Sequence, residues 1–166
     1  MSWTFGIKRL LSGPIASDGG MGTALTQNGE TLKGTASLET TEPTINWIET
    51  EEKGKRKSIS QNDSEIKLSF EVANPTLEQQ AYYLGGSVTT VATKKRYAPP
   101  RNGASIEKSF KVETLEGFDI EIPHGKVTAT PLGGNIGTEG VLTLKVTVTA
   151  QVPTKAGVEA IYYVEK

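Results

Sequence analysis

The single histidine, His124, stands in Pro123-His124-Gly125, and a lone imidazole can act as a general base or as one metal ligand. With no cysteine and no second histidine, a multi-histidine or thiolate metal centre within one chain is excluded, as is a thiol nucleophile. The three aspartates, Asp18, Asp63 and Asp119, are too scattered for a calcium loop, and the glutamates offer no spacing that selects a glycoside-cleaving pair. No serine lies in a Gly-x-Ser-x-Gly elbow. The glycine-rich runs Asp18-Gly19-Gly20-Met21-Gly22-Thr23 and Gly133-Gly134-Asn135-Ile136-Gly137 lack the Lys-Ser/Thr ending of a phosphate loop, so both are expected to be plain loops. His124 is expected to be an exposed or hydrogen-bonded turn residue. The chain is therefore expected to have no catalytic residues, cofactor or metal, and not to be an enzyme.

The elements that would position any other function are mostly strands. Leu142, Leu144, Val146, Val148, Ala150 and Val152 alternate with Thr143, Lys145, Thr147, Thr149 and Gln151, the period of a half-buried strand. Ile66, Leu68, Phe70 and Val72 alternate in the same way with Glu65, Lys67, Ser69 and Glu71. Weaker alternation marks residues 32–38, 106–112, 118–122, 127–129 and 158–164. The apolar parity flips across Pro123-His124-Gly125, which requires a turn or bulge there. One helix is predicted over about residues 75–84, with Asn74 as N-cap and Pro75 at its first position. Leu77, Ala81 and Leu84, widened by Tyr82 or Tyr83, would form its buried stripe, Glu78, Gln79 and Gln80 would face water, and Gly85-Gly86 would stop it. Many short strands between Gly, Pro and Asn clusters predict a mainly β chain: one domain, 1–166, as an antiparallel β-sandwich or incomplete barrel with one flanking α-helix.

Charge and hydropathy narrow the partners. Lys+Arg 18 against Asp+Glu 19 gives a net charge of -1 and no general attraction to nucleic acid or anionic membrane. No run approaches a spanning helix, and Lys8-Arg9-Leu10-Leu11 breaks at Ser12-Gly13-Pro14, too short for a signal-peptide core. Asn62-Asp63-Ser64 is formally a glycosylation acceptor but is expected to be a turn. Lys94-Lys95-Arg96-Tyr97-Ala98-Pro99-Pro100-Arg101 is expected to be an exposed loop, its one aromatic and four cations being too few for a nucleic-acid platform.

The longest charged stretch reverses sign: Glu49, Glu51 and Glu52 precede Lys53, Lys55, Arg56 and Lys57, just after Trp47 and Ile48. It is either a solvated tip whose charges pair locally or a protruding β-arm, about residues 47–65, that docks on another subunit. A second candidate interface is the apolar cluster Trp3, Phe5, Ile7, Leu10 and Leu11 in a mobile N-terminal segment of about residues 1–16, unless those side chains close the chain's own core.

The order of these parts carries a resemblance. A glycine loop at residues 18–23 and a strand ending Glu39-Thr40-Thr41-Glu42-Pro43 lead to the charged connection. Ser64 to Val72, a capped helix ending Leu84-Gly85-Gly86, the stretch Val112 to Val127 and the strand from Val141 follow. The whole resembles the major tail tube proteins of long-tailed bacteriophages and prophages, particularly of Bacteroides-type hosts. The resemblance implies a structural subunit that joins into hexameric rings stacked as a hollow tube. DNA would transit that tube without specific binding. It implies partners in further copies, a tape measure protein and tail-tip or terminator proteins, no membrane, and a place in the virion after synthesis in the host cytoplasm. The arm and the N-terminal segment would be the parts that reach neighbours. Two alternatives stand beside it: a tube subunit of a contractile or type VI-like injection machine, and a carbohydrate- or protein-binding β-sandwich built on exposed tyrosines. Tyr162 and Tyr163, adjacent in a strand, would point to opposite faces and could not share such a platform.

Overall fold

The strongest alternations become the centre of the sheet. The computed structural model describes residues 3–61 and 64–166, so Asn62 and Asp63 of the glycosylation-type tripeptide lie outside the described residues. The elements in chain order are β1 (Phe5–Gly13), β2 (Glu30–Thr31), β3 (Ser37–Thr40), β4 (Thr44–Thr50), β5 (Gly54–Gln61) and β6 (Ile66–Ala73). They continue with α1 (Leu77–Leu84), β7 (Ser87–Val91), β8 (Lys94–Ala98), β9 (Ile106–Glu116), β10 (Phe118–Ala129), β11 (Thr143–Ala150) and β12 (Tyr162–Glu165).

An antiparallel sheet runs β1-β9-β10-β11-β6-β2, with β12 also on β10 and β3 also on β6. β10 is long enough to carry two partners on one edge, β11 against Gly125–Ala129 and β12 against Phe118–Glu121. The sheet curls until Ser12 of β1 and Thr26 exchange two backbone hydrogen bonds of 2.9 Å. This is the incomplete barrel that the alternation predicts. Its interior holds Phe70, Val72, Phe110, Ile122, Leu144, Val146 and Val148, all essentially without exposure. β4–β5 and β7–β8 are two separate hairpins.

The parity flip at Pro123-His124-Gly125 is a β-bulge inside a continuous strand: the register against β9 slips between Ile122 and Gly125. Proline, with no N–H to leave unpaired, is tolerated at such a point. A Cβ on Gly125 would come within 2.4 Å of Val148 Cγ1, so the bulge needs glycine there for close packing. Ser109, fully buried, donates to the Pro123 carbonyl at 2.6 Å and accepts from the Gly22 amide at 2.9 Å. The first glycine loop is thereby fastened to the bulge.

Several expectations change. The helix starts at Leu77 with Thr76, not Asn74, as N-cap. Thr76 and Gln79 form a reciprocal capping box, while Asn74 takes a φ of 42° in the turn before it. Gln80 is buried rather than solvent-facing, its amide reaching the Pro75 carbonyl at 3.5 Å. The helix anchor is Tyr83, edge-on to Phe70 with ring centroids 6.0 Å apart. Residues 32–38 are not one strand, because the chain turns at Gly34 (φ 81°) between β2 and β3. Lys94 to Ala98 is strand β8 rather than loop. Its basic side chains face outward while Lys95 pairs with Glu78 and the Tyr97 hydroxyl donates to the Gly85 carbonyl at 2.8 Å, tying the hairpin to α1. Among the described residues no helix is long and apolar enough to cross a membrane.

Candidate functional site

The segment expected as a mobile N-terminus is β1, paired with β9 along Phe5–Gly13. The edge of β9 needs a partner, and the inward Leu10 and Ser12 supply the buried anchors that hold one. The apolar cluster read from the sequence divides as a result: Leu10 joins the core and Leu11 is half-buried, but Trp3, Phe5 and Ile7 stay exposed. The register slips between Ile7 and Arg9, so a bulge at Lys8 places Phe5 and Ile7 opposite Glu116 and Thr114, on the inward face shared with Leu10 and Val112. They face inward yet remain uncovered.

What uncovers them is a gap in the barrel. Beyond the Ser12–Thr26 contact, β1 parts from β2 and β3, leaving a cleft of ≈ 680 Å³. Phe5, Ile7 and Leu10 line one wall, Leu38 the other, and Leu68 and Val112 the floor. Charges of both signs rim it: Lys8 and Arg9 on β1, and Glu30 and Lys33 at β2 and the turn that follows it. At the same end Leu115, Phe118 and Tyr163 add further exposed apolar surface.

The charge-reversal stretch is a true hairpin, β4–β5, in register from Thr44↔Gln61 to Thr50↔Gly54 with an irregularity after Ile48. It extends the β3–β6 ladder, whose last step is fixed where the Thr41 amide donates to the Glu65 carbonyl at 3.0 Å and the Glu65 amide to Thr41 Oγ1 at 2.7 Å. Directly opposed residues share a face, so Ile45 and Trp47 stand on one side of the hairpin and Ile48 and Ile59 on the other. All four are 45–58% exposed. A free hairpin with apolar residues on both faces has no core of its own.

The charges of the tip do not pair locally. Among the described residues, Glu49, Glu51, Glu52, Lys53, Lys55, Arg56 and Lys57 form no ion pair, and Lys55 instead sets its Nζ 5.6 Å from the centre of the Trp47 ring. The structure thus gathers Trp47 through Lys57 on one projecting element and Trp3, Phe5 and Ile7 at the open end of the barrel. Sequence reasoning placed Ile45 and Phe118 on strands but named neither them nor Ile59 as surface candidates, and it missed the cleft itself. The alternation Ile45-Asn46-Trp47 and Ser58-Ile59-Ser60 carried a signal for the hairpin, whereas nothing local in sequence marks a gap between β1 and β3.

The other sequence candidates have structural settings. His124 lies in the bulge with Nε2 2.9 Å from Glu107 Oε2, and its Nδ1 is buried without a partner. Asp18 accepts from the Gly20 amide and pairs with Lys155 at 2.6 Å; the lysine contact chiefly holds its carboxyl below the usual range. Burial raises the Tyr82 and Tyr83 hydroxyls and lowers Lys108, whose ammonium sits 3.9 Å from the Tyr82 ring centre. These groups lie in the packing between α1 and the sheet. No protein-family model matches this chain, and no curated protein matches it.

Proposed function

We propose that this chain is a structural subunit that self-assembles into rings stacked as a hollow tube, as in a phage or prophage tail. The observation that carries the reading is the β4–β5 hairpin. It projects from the barrel, is apolar on both faces, and bears a run of charges of each sign that form no ion pair among the described residues. Such a surface is costly to leave in water and is stabilised by a neighbour that covers it. A contact between two different patches of one chain is heterologous, and repeated contacts of that kind generate rings or filaments without any chemical step. In this reading the described product is a virion component whose lumen passes DNA without specific binding, with a tape measure and tail-tip proteins as further partners.

The carbohydrate-binding alternative has fewer aromatics to draw on. Tyr83 is buried, Tyr82 lies half-buried beneath Lys108, and Tyr162 and Tyr163 are consecutive residues of β12, on opposite faces. The test is negative-stain microscopy and light-scattering mass at rising concentration, on the full chain and on a variant with residues 44–63 replaced by a short turn. Rings or tubes from the full chain, and a monomer of unchanged melting temperature from the variant, are expected. A full chain that stays monomeric at every concentration, alone or with tail-tip initiator, overturns the reading.

A further inference from the structure

We infer that Asn102, on the connection from β8 to β9, is a site of slow self-modification, at which the side-chain amide is lost as ammonia and the residue becomes aspartate or isoaspartate. Asn28, which is also followed by glycine, is held against the same reaction by the fold. This is independent of the assembly proposed above.

The chemistry needs only this chain and water. The Gly103 amide nitrogen attacks Asn102 Cγ; the N–Cγ bond forms, the Cγ–Nδ2 bond breaks, and Nδ2 leaves as ammonia with the proton of the amide. Water then opens the five-membered imide at either carbonyl, giving aspartate or isoaspartate. The attack requires a free amide, a side chain able to swing over it and a following residue with no Cβ in the way, so Asn-Gly is the favoured pair. The sequence has two, Asn28-Gly29 and Asn102-Gly103.

Their settings differ. Asn28 Nδ2 lies 3.1 Å from Ser12 Oγ and 3.2 Å from both the carbonyl and the hydroxyl oxygen of Thr26, and the Asn28 carbonyl accepts from the Tyr83 hydroxyl at 3.0 Å. These bonds tie the residue to β1 and α1 and must break before its side chain can turn onto the Gly29 amide. Asn102 is exposed, and among the described residues no hydrogen bond engages its side chain or the Gly103 amide. Gly103 has an ordinary φ and open space where a Cβ would stand. The freedom is local, because both ends of the connection pack on the C-terminus of α1: Cβ atoms on Gly85 and Gly86 would come within 2.8 Å of Ala104 Cβ and 3.2 Å of Pro100 Cδ.

Three related pairs are closed. In Asp18-Gly19 the Gly19 amide donates to the Ala16 carbonyl at 2.8 Å, and the carboxylate is held by Lys155 and the Gly20 amide. Asn135 accepts from the Gly137 amide at 3.0 Å, and the branched Cβ of Ile136 crowds the amide that would attack. Asn74 precedes Pro75, which has no amide proton. Conversion at Asn102 adds one negative charge beside Arg101 to a chain of net charge -1. Isoaspartate also lengthens the backbone by a methylene between ends that stay packed on α1, so the change alters the surface in one direction only and leaves the core intact.

The test is peptide mass spectrometry of the full chain held in mildly alkaline buffer, native and in urea. Trypsin releases Asn102 in the peptide 102–108 and Asn28 in 10–33. In the native chain 102–108 should gain the mass of deamidation and split into two isomers, at least roughly tenfold faster than 10–33, and in urea the two rates should converge. Gly103→Ala should slow the reaction roughly tenfold with an unchanged melting temperature. Native peptide 102–108 that stays unmodified while the unfolded chain reacts, or both native peptides reacting at one rate, overturns the inference. So does a Gly103→Ala chain that reacts as fast as the parent.

Discussion

Ser109 and Asp119 show how single polar groups hold the irregular parts of this barrel. Ser109 joins the bulge carbonyl of Pro123 to the first glycine loop, and it is fully buried. Ser109→Ala strands one donor and one acceptor in the interior and should cost about 2 kcal/mol in urea unfolding, without altering assembly. Asp119 is partly buried, which alone would raise its carboxyl. The Thr114 amide at 3.0 Å and the Lys166 ammonium at 3.3 Å outweigh that and hold it below its ordinary 3.8. A carboxyl depressed in the folded state contributes stability that is fully present above its unfolded value and lost as pH falls through the folded one. Asp119→Asn should therefore destabilise at pH 7, and thermal melts should show the difference from the parent chain shrinking as pH falls below the ordinary 3.8 and lost once the folded carboxyl is itself protonated. The alternation in sequence foretold a bulge at Pro123, but not these anchors. A serine or an aspartate among many carries no local mark of the distant carbonyl or amide it will meet.

Elements were legible in proportion to how much of their burial came from their own period. β6 and β11 show every second side chain inward and were readable to within one or two residues, whereas β1 was not. Its apolar residues fall at 5, 7, 10 and 11 because the Lys8 bulge shifts the phase, and a shifted phase looks irregular in sequence. The hairpin β7–β8 was invisible for another reason: its two-residue loop is Ala92-Thr93, with φ of 46° and 72°, where Asn-Gly would be the ordinary signal. A β-branched residue at that φ is strained. Ala92→Asn/Thr93→Gly should relieve it and raise stability by about 1 kcal/mol, read as a higher melting temperature with unchanged spectra. If the melting temperature falls instead, the native tip gains something from Ala92 or Thr93 that the isolated chain does not display.

At the scale of the molecule the two tryptophans are placed where assembly can be watched. Trp3 is 84% exposed at the open end of the barrel and Trp47 is 50% exposed on the arm, and there are no others in the chain. Both indoles are largely in water in the folded monomer, so denaturing a dilute sample should move the emission maximum little. Covering of the arm by another copy, as the proposed tube requires, should remove Trp47 from water and shift its emission to the blue as concentration rises, in step with the scattering mass. Trp47→Phe should abolish most of that shift and Trp3→Phe should leave it, because the proposed contact covers the hairpin that carries Trp47. The reverse pattern would place the first contact on the N-terminal edge of β1, with the arm still free. Unfolding of this chain should thus be spectroscopically quiet, and any contact that covers the arm should not be. That separation follows from a core built on Phe70, Phe110 and Tyr83, which leaves both of the largest aromatic side chains outside it.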